Sequence, residues 1–106
     1  MAATSVSARR GTDQFRGVFS DTWSVTATLD LASVADAETQ VDTVAVPGVA
    51  LGDVVLACSF GVDAAGLSIT AYVSAADTVT VAANNNTGGA VNLASTTIKL
   101  VVARLV

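Results

Sequence analysis

The chain has 106 residues, a net charge of −4, no histidine, one cysteine, and apolar residues over 52% of its length. Without histidine it lacks the commonest general base, the commonest metal ligand and the base of any Ser-His or Cys-His pair. A single cysteine, Cys58, excludes an intrachain disulfide framework, so one hydrophobic core must hold one domain of this size.

Only 13% of the residues are charged and the mean hydropathy is +0.62, which is oily for a soluble monomer. No apolar run reaches the roughly 18 residues of a membrane helix. VVLACSFGV (54–62) is among the longest and is broken by Ser59 and Gly61. No membrane contact is expected, and the surplus apolar surface is expected to be covered by further copies or partners. No hydrophobic stretch follows the first basic residues, so a secretory signal is not expected and a reducing cytoplasm is the expected place of synthesis. Charge is uneven along the chain. Residues 1–16 carry three arginines against Asp13, net +2, whereas 17–106 carry two cations against eight acids, net −6.

In chain order, residues 1–22 come first: small, polar and glycine-punctuated, with Phe15, Val18 and Phe19 near their end. They cannot make a core alone and are expected to form an extended arm that gains order by lying on something else. A folded domain is expected over 23–106. WSVTATLDL (23–31) alternates, with Trp23, Val25, Ala27, Leu29 and Leu31 on one face and hydroxyls and Asp30 on the other. LASVADAE (31–38) allows at most one helical turn capped by Ser33. ETQVDTVAV (38–46) reads as a strand, and Pro47-Gly48 suits the middle of a type II turn. DVVLACSF (53–60) and TIKLVVARL (97–105) are oily on both faces and read as central strands. LSITAYV (67–73) and DTVTVAA (77–83) alternate again, joined by SAAD (74–77) as a hairpin. Six strands with turn chemistry between them and no crossover helix predict an all-β, antiparallel β-sandwich or barrel.

The chemistry offered is sparse. Cys58 has no cationic neighbour in sequence and reads as a small buried hydrophobe. Asp36, Glu38 and Asp42 have the spacing of calcium-loop ligands, but Val41 stands where that loop needs glycine and no distal glutamate follows. A solvated strand entry is expected there instead, and neither a metal nor any other cofactor is expected. No phosphate loop or dinucleotide glycine pattern occurs. An Arg9-Arg10 pair on an acidic body lacks the cationic stripe of a nucleic-acid surface, so no nucleic-acid partner is expected. AANNNTGGA (82–90) suits a connector, since asparagine and glycine accept left-handed backbone angles. As a site it offers amides and a hydroxyl for a protein or sugar, without an acid or base. Asn85-Asn86-Thr87 also matches a glycosylation sequon, idle without secretion.

The order AETQVDTVAVPGVALGDVV (37–55), then AAGLSITAYVSAADTVTVAANNNTGGAVNLAS (64–95), then a valine-rich closing strand, resembles small structural proteins of tailed bacteriophages. These are the capsid decoration, or cement, proteins and related head and tail-fibre modules. The likeness covers 23–106 and rests on the VPGVALGD turn, the VSAADTVTV hairpin and the loop ending in AVNLAS. It implies a jelly-roll-like sandwich without catalytic residues, on the outer surface of a virion. It also implies a homo-oligomer, a trimer before a dimer, bound to the major capsid protein. In that setting the candidate interface residues are Arg9, Arg10, Phe15, Arg16 and Phe19 of the arm, with Asn84, Asn85, Asn86 and Thr87 of the loop. A host-surface or glycan-binding module of a fibre is the other reading, motivated by the Asn-rich loop, Tyr72 and Trp23.

Overall fold

A computed structural model describes residues 2–11 and 18–105. Among them the chain forms strands β1 (Thr4–Gly11), β2 (Phe19–Leu29), β3 (Thr39–Ala45) and β4 (Val54–Phe60). Strands β5 (Ser68–Ala75), β6 (Thr78–Asn84) and β7 (Thr96–Leu105) follow, and no described residue is helical. Every strand pair is antiparallel. One sheet has the order β1-β2-β7-β4 and the other β3-β6-β5. The all-β antiparallel reading is therefore what the chain adopts.

The period-two pattern explains which face goes in. Trp23 stands opposite Val102, Val25 opposite Leu100 and Ala27 opposite Ile98, all buried on the inner face of the first sheet. Val44 opposite Val79 and Val81 opposite Ala71 line the inner face of the second sheet. These inner faces share one apolar cluster that also takes in Leu31, Val34, Val46, Val49 and Leu93 from the connections. Burying each such side chain contributes about 1.5–3 kcal/mol, the main force holding the sheets together.

The connections sort to two ends. Residues 30–38, 61–67 and 85–95 lie at one end, where Val34 and Val91 exchange backbone hydrogen bonds. At the other end lie the 46–53 turn, the β5–β6 hairpin turn and the close of β7. Gly48 has φ +97°, as the type II reading of Pro47-Gly48 requires. The hairpin turns at Ala76-Asp77, with Asp77 at φ +60°. Its backbone binds Val46 and Val49, and its carboxylate accepts the Gly48 N–H at 2.8 Å.

Four expectations are corrected. Residues 4–11 lie along the chain's own β2, with Arg10 opposite Trp23, and make an edge strand of the first sheet. β2 begins at Phe19, four residues before the expected boundary at 23. The small polar residues of 4–11 are compatible with an exposed edge, which is why the segment carried no strand signal. Second, β4 is an edge strand, not a central one. A bulge between Val55 and Ala57 leaves Leu56 exposed and turns Val55, Cys58 and Phe60 inward, so both faces look oily in sequence. Third, residues 31–38 form no helical turn. Instead a reverse turn closes with Glu38 N–H on Ala35 C=O, and Ala37 has φ +62°. Fourth, Asp42 is not solvated: it sits on the inward phase of β3 and is 4% exposed.

Candidate functional site

The polar side chains gather at the end where β7 closes. Trp23 is buried there, and its indole N–H donates to the Pro47 carbonyl at 3.1 Å. Two guanidinium groups stack over its ring, Arg10 at 4.8 Å and Arg104 at 5.3 Å from the centroid. Arg104 donates from Nε and Nη2 to the two oxygens of Asp53, both at 3.0 Å, and from Nη2 to the Gly48 carbonyl. Arg10 donates to Asp21 at 2.7 Å, and Asp21 also lies 3.8 Å from Arg104. Asp53 in turn accepts the Ala50 N–H at 2.9 Å.

These contacts set the protonation states. The hydrogen bond from Arg10 holds the Asp21 carboxyl below its ordinary range, and Arg104 does the same for Asp53. Both aspartates are therefore carboxylates near neutral pH, acceptors rather than proton donors. Burial pushes Asp42 and the Cys58 thiol upward, so Cys58 is less of a thiolate than a free cysteine. Among the described residues, no group of three or more Cys, Asp or Glu side chains is arranged to hold a metal ion.

A cavity of about 350 Å³ opens beside this latch, between the edge strands β1 and β3. Val6, Ala8, Arg10, Trp23, Ala45 and Pro47 line it. β1 and β3 touch at one end, where Ala3 N–H donates to Thr43 C=O at 2.8 Å. Beyond that contact, the pairing of β1 with β2 shifts register between Thr4 and Ser7.

The loop over 82–90 is a built corner. Asn85 is 1% exposed and all its amide capacity is used. Its NH₂ donates to the carbonyls of Val34 and Gly89, both at 2.8 Å. Its carbonyl oxygen accepts the Thr87 N–H at 2.9 Å and the Thr87 hydroxyl at 2.7 Å. Asp36 accepts the Gly88 N–H at 3.2 Å, tying the corner to the β2–β3 connection. The sequon asparagine is thus sealed inside, so burial alone keeps a glycan off it.

The nine candidate interface residues do not form one surface. Phe15 and Arg16 lie outside the described residues. Arg9 is exposed on the outer face of β1, while Arg10 turns inward over Trp23. Phe19 opens β2 opposite Leu105, half-buried. Asn84 accepts the Thr39 hydroxyl, and Asn86 and Thr87 are exposed at the opposite end of the molecule. Asn85 is corrected from contact residue to internal pin. Sequence reading missed Asp21, Asp53, Asp77 and Arg104. Their signal was position: each is a charge bordering an apolar run, and charges there must find a partner or reach solvent. No family model, curated protein or solved structure matches the chain.

Proposed function

We propose that this chain is a virion structural protein that decorates an assembled capsid and reinforces it through many modest subunit contacts. The observation that carries this reading is the surface of the second sheet. Its outward positions read Thr39, Val41, Thr43 and Ala45 on β3, Thr78, Thr80, Ala82 and Asn84 on β6, and Ser68, Thr70 and Tyr72 on β5. None is charged, and Val41 and Tyr72 are about half exposed. A broad neutral face on a chain of net charge −4 suits packing against protein.

Strand order supports the finer fold. β2 pairs with β7 and β3 with β6 as nested antiparallel partners in facing sheets. In this reading the nesting belongs to a jelly-roll-like sandwich with fewer strands than the full eight, an architecture used by capsid proteins. The partners in this reading are the major capsid protein and further copies of the chain, with a trimer expected before a dimer. The N-terminal segment contributes through β1, which displays Arg9. The glycan-binding reading loses two of its three motivating features, because Trp23 is buried under two arginines and the Asn85 amide is spent.

The test is the composition of the particle and its reconstitution. Virions of the phage encoding this chain are expected to contain it in many copies, with density for a small β domain outside the shell. Recombinant protein is expected to co-sediment with heads that lack it and to raise their resistance to heat. Absence from the particle, or no binding to such heads, overturns the proposal.

A further inference from the structure

We propose that copies of this chain join side to end, the outward face of the β1-β2-β7-β4 sheet of one copy receiving the 30–38 loop end of the next. The inference deepens the homo-oligomer of the preceding reading and rests on it for the biological setting alone. Its starting point is where the charges go. Arg10 and Arg104 are committed to Asp21 and Asp53. Arg9 and Lys99 are the remaining described cations, and neither makes an ion pair or side-chain hydrogen bond among the described residues.

Ninety residues apart in sequence, these two cations are brought to one face by β2, which pairs with both their strands. Arg9 faces Ser24 and Lys99 faces Thr26, so both point outward. They lie two strand spacings and one row apart, about 12 Å between Cα atoms. The other outward positions there, such as Ser7, Thr22, Thr28, Ser59 and Val101, carry no acid. Beside Lys99 the face is hollowed by about 290 Å³, bounded by Ser59, Phe60, Gly61 and Thr97.

The complementary surface is on the same chain. The loops over 30–38, 61–67 and 85–95 hold Asp30, Asp36, Glu38 and Asp63 and no lysine or arginine. Asp30 and Glu38 make no ion pair among the described residues and are exposed. A cation-bearing face and an acidic end on one molecule cannot satisfy each other within that molecule when they face different directions. They match between copies. Such a contact is heterologous, and it closes into a ring when the rotation between copies allows. The neutral second sheet offers no described cation to meet the acidic end, so it is the weaker candidate for this role.

Lys99 is the sole lysine of the chain, which makes the test clean. Sedimentation velocity at about 50 mM and about 500 mM salt, with Debye lengths of roughly 14 Å and 4 Å, reads the mass. Wild-type protein is expected to associate at low salt and fall toward 10.5 kDa at high salt. R9E/K99E and D30K/E38K are each expected to weaken association about tenfold or more, and the combined four-residue swap to restore it. A zero-length carbodiimide crosslink in a mixture of ¹⁴N and ¹⁵N protein is expected to join Lys99 of one copy to the 30–38 loop of another. Circular dichroism verifies that each variant folds, and R9A/K99A replaces a reversal that does not. A monomeric wild type, a wild-type mass retained by R9E/K99E, or a swap that fails to reassociate overturns the inference. Head binding separates the two ideas. R9E/K99E that loses association but still binds heads leaves decoration and this interface both standing. Wild type that associates yet ignores heads retires decoration alone.

Discussion

Arg104 and Asp53, 51 residues apart, meet through two parallel hydrogen bonds of 3.0 Å, a forked pair that clamps the end of β7 to the start of β4. The Asp53 side chain is 5% exposed and that of Arg104 33%, so solvent screens the pair on one side only. Lysine cannot reproduce the fork. Arg104→Lys and Asp53→Asn are each expected to lower the urea midpoint, and a double-mutant cycle is expected to show coupling. The folded Asp53 titrates below its unfolded value of about 3.9, so its contribution is complete above that pH and is lost as pH falls through the folded value. Asp53→Asn should therefore flatten the acid limb of the stability profile. Equal acid sensitivity in variant and wild type would remove Asp53 from the latch.

Gly48 tests the same end from the backbone. At φ +97°, an added Cβ would lie 2.8 Å from Arg10 Nη1 and 3.6 Å from Trp23. Gly52 has nearly the same angle, φ +99°, with nothing within 4 Å of an added Cβ. Gly52→Ala therefore carries conformational strain alone, about 1 kcal/mol. Gly48→Ala adds a shift of the flexible Arg10 guanidinium away from Trp23 and is expected to cost a few tenths of a kcal/mol more, about 1–2 kcal/mol in all. Removing the obstructing side chain with Arg10→Ala should bring the two glycine substitutions closer together. Equal costs in the presence of Arg10 would show that this contact does not constrain the turn.

The two sheets were legible in the sequence wherever one face was apolar and the other carried hydroxyls. Trp23 through Leu29 is the clear case, and its inward phase followed from alternation alone. Legibility failed for two physical reasons. Val54–Phe60 hides a bulge, and one extra residue reverses the phase of everything after it. Thr4–Gly11 is an edge strand whose stability comes from its partner β2, so its own side chains carry little pattern. The Arg104–Asp53 latch was unreadable because spacing along a chain says nothing about which charges meet across a sheet. The left-handed turn propensity of the Asn-Gly stretch was legible, but the inward orientation of Asn85 was not.

Asp42 is the charged residue on the inward phase of β3, between Gln40 and Val44. Burial raises its titration point above the ordinary value, the positive charge of the chain's amino terminus opposes that rise, and the nearby Asp30 charge adds to it. An acid that titrates higher when folded binds more protons in the folded state between its two values. Stability therefore declines as pH rises from about 3.9 through the folded value, and the penalty stays above it. Asp42→Asn keeps a polar side chain and removes the charge, so it is expected to raise the thermal midpoint at pH 7. The gain should vanish near pH 3, where the wild-type carboxyl is already protonated. An Asp42→Asn variant that is less stable at pH 7 would show that its carboxylate is held by more than it costs.

Asn85 ties together two connections that lie outside the strands. Val34 belongs to the β2–β3 connection, and Gly89 and Thr87 to the β6–β7 connection. Its own backbone bonds Glu38 and Ala37. Asn85→Ala removes one of two donors from each carbonyl, since Val34 keeps the Val91 N–H and Gly89 keeps the Thr87 hydroxyl, and it leaves the Thr87 N–H without its acceptor, at an expected cost of about 1–3 kcal/mol. Asn85→Asp is isosteric but places a carboxylate oxygen against the Val34 and Gly89 carbonyls, where an N–H is needed. At pH 7 it should be at least as damaging as alanine, and it should recover part of its stability at about pH 4, when a proton can again be donated. Neighbouring Asn86 is exposed and has no such partners among the described residues, so Asn86→Ala is expected to stay within about 0.5 kcal/mol of wild type. Chemical denaturation of the three variants at two pH values decides the matter. If Asn85→Ala behaves like Asn86→Ala, the corner is held by the apolar cluster of Val34, Val91 and Leu93 rather than by the amide.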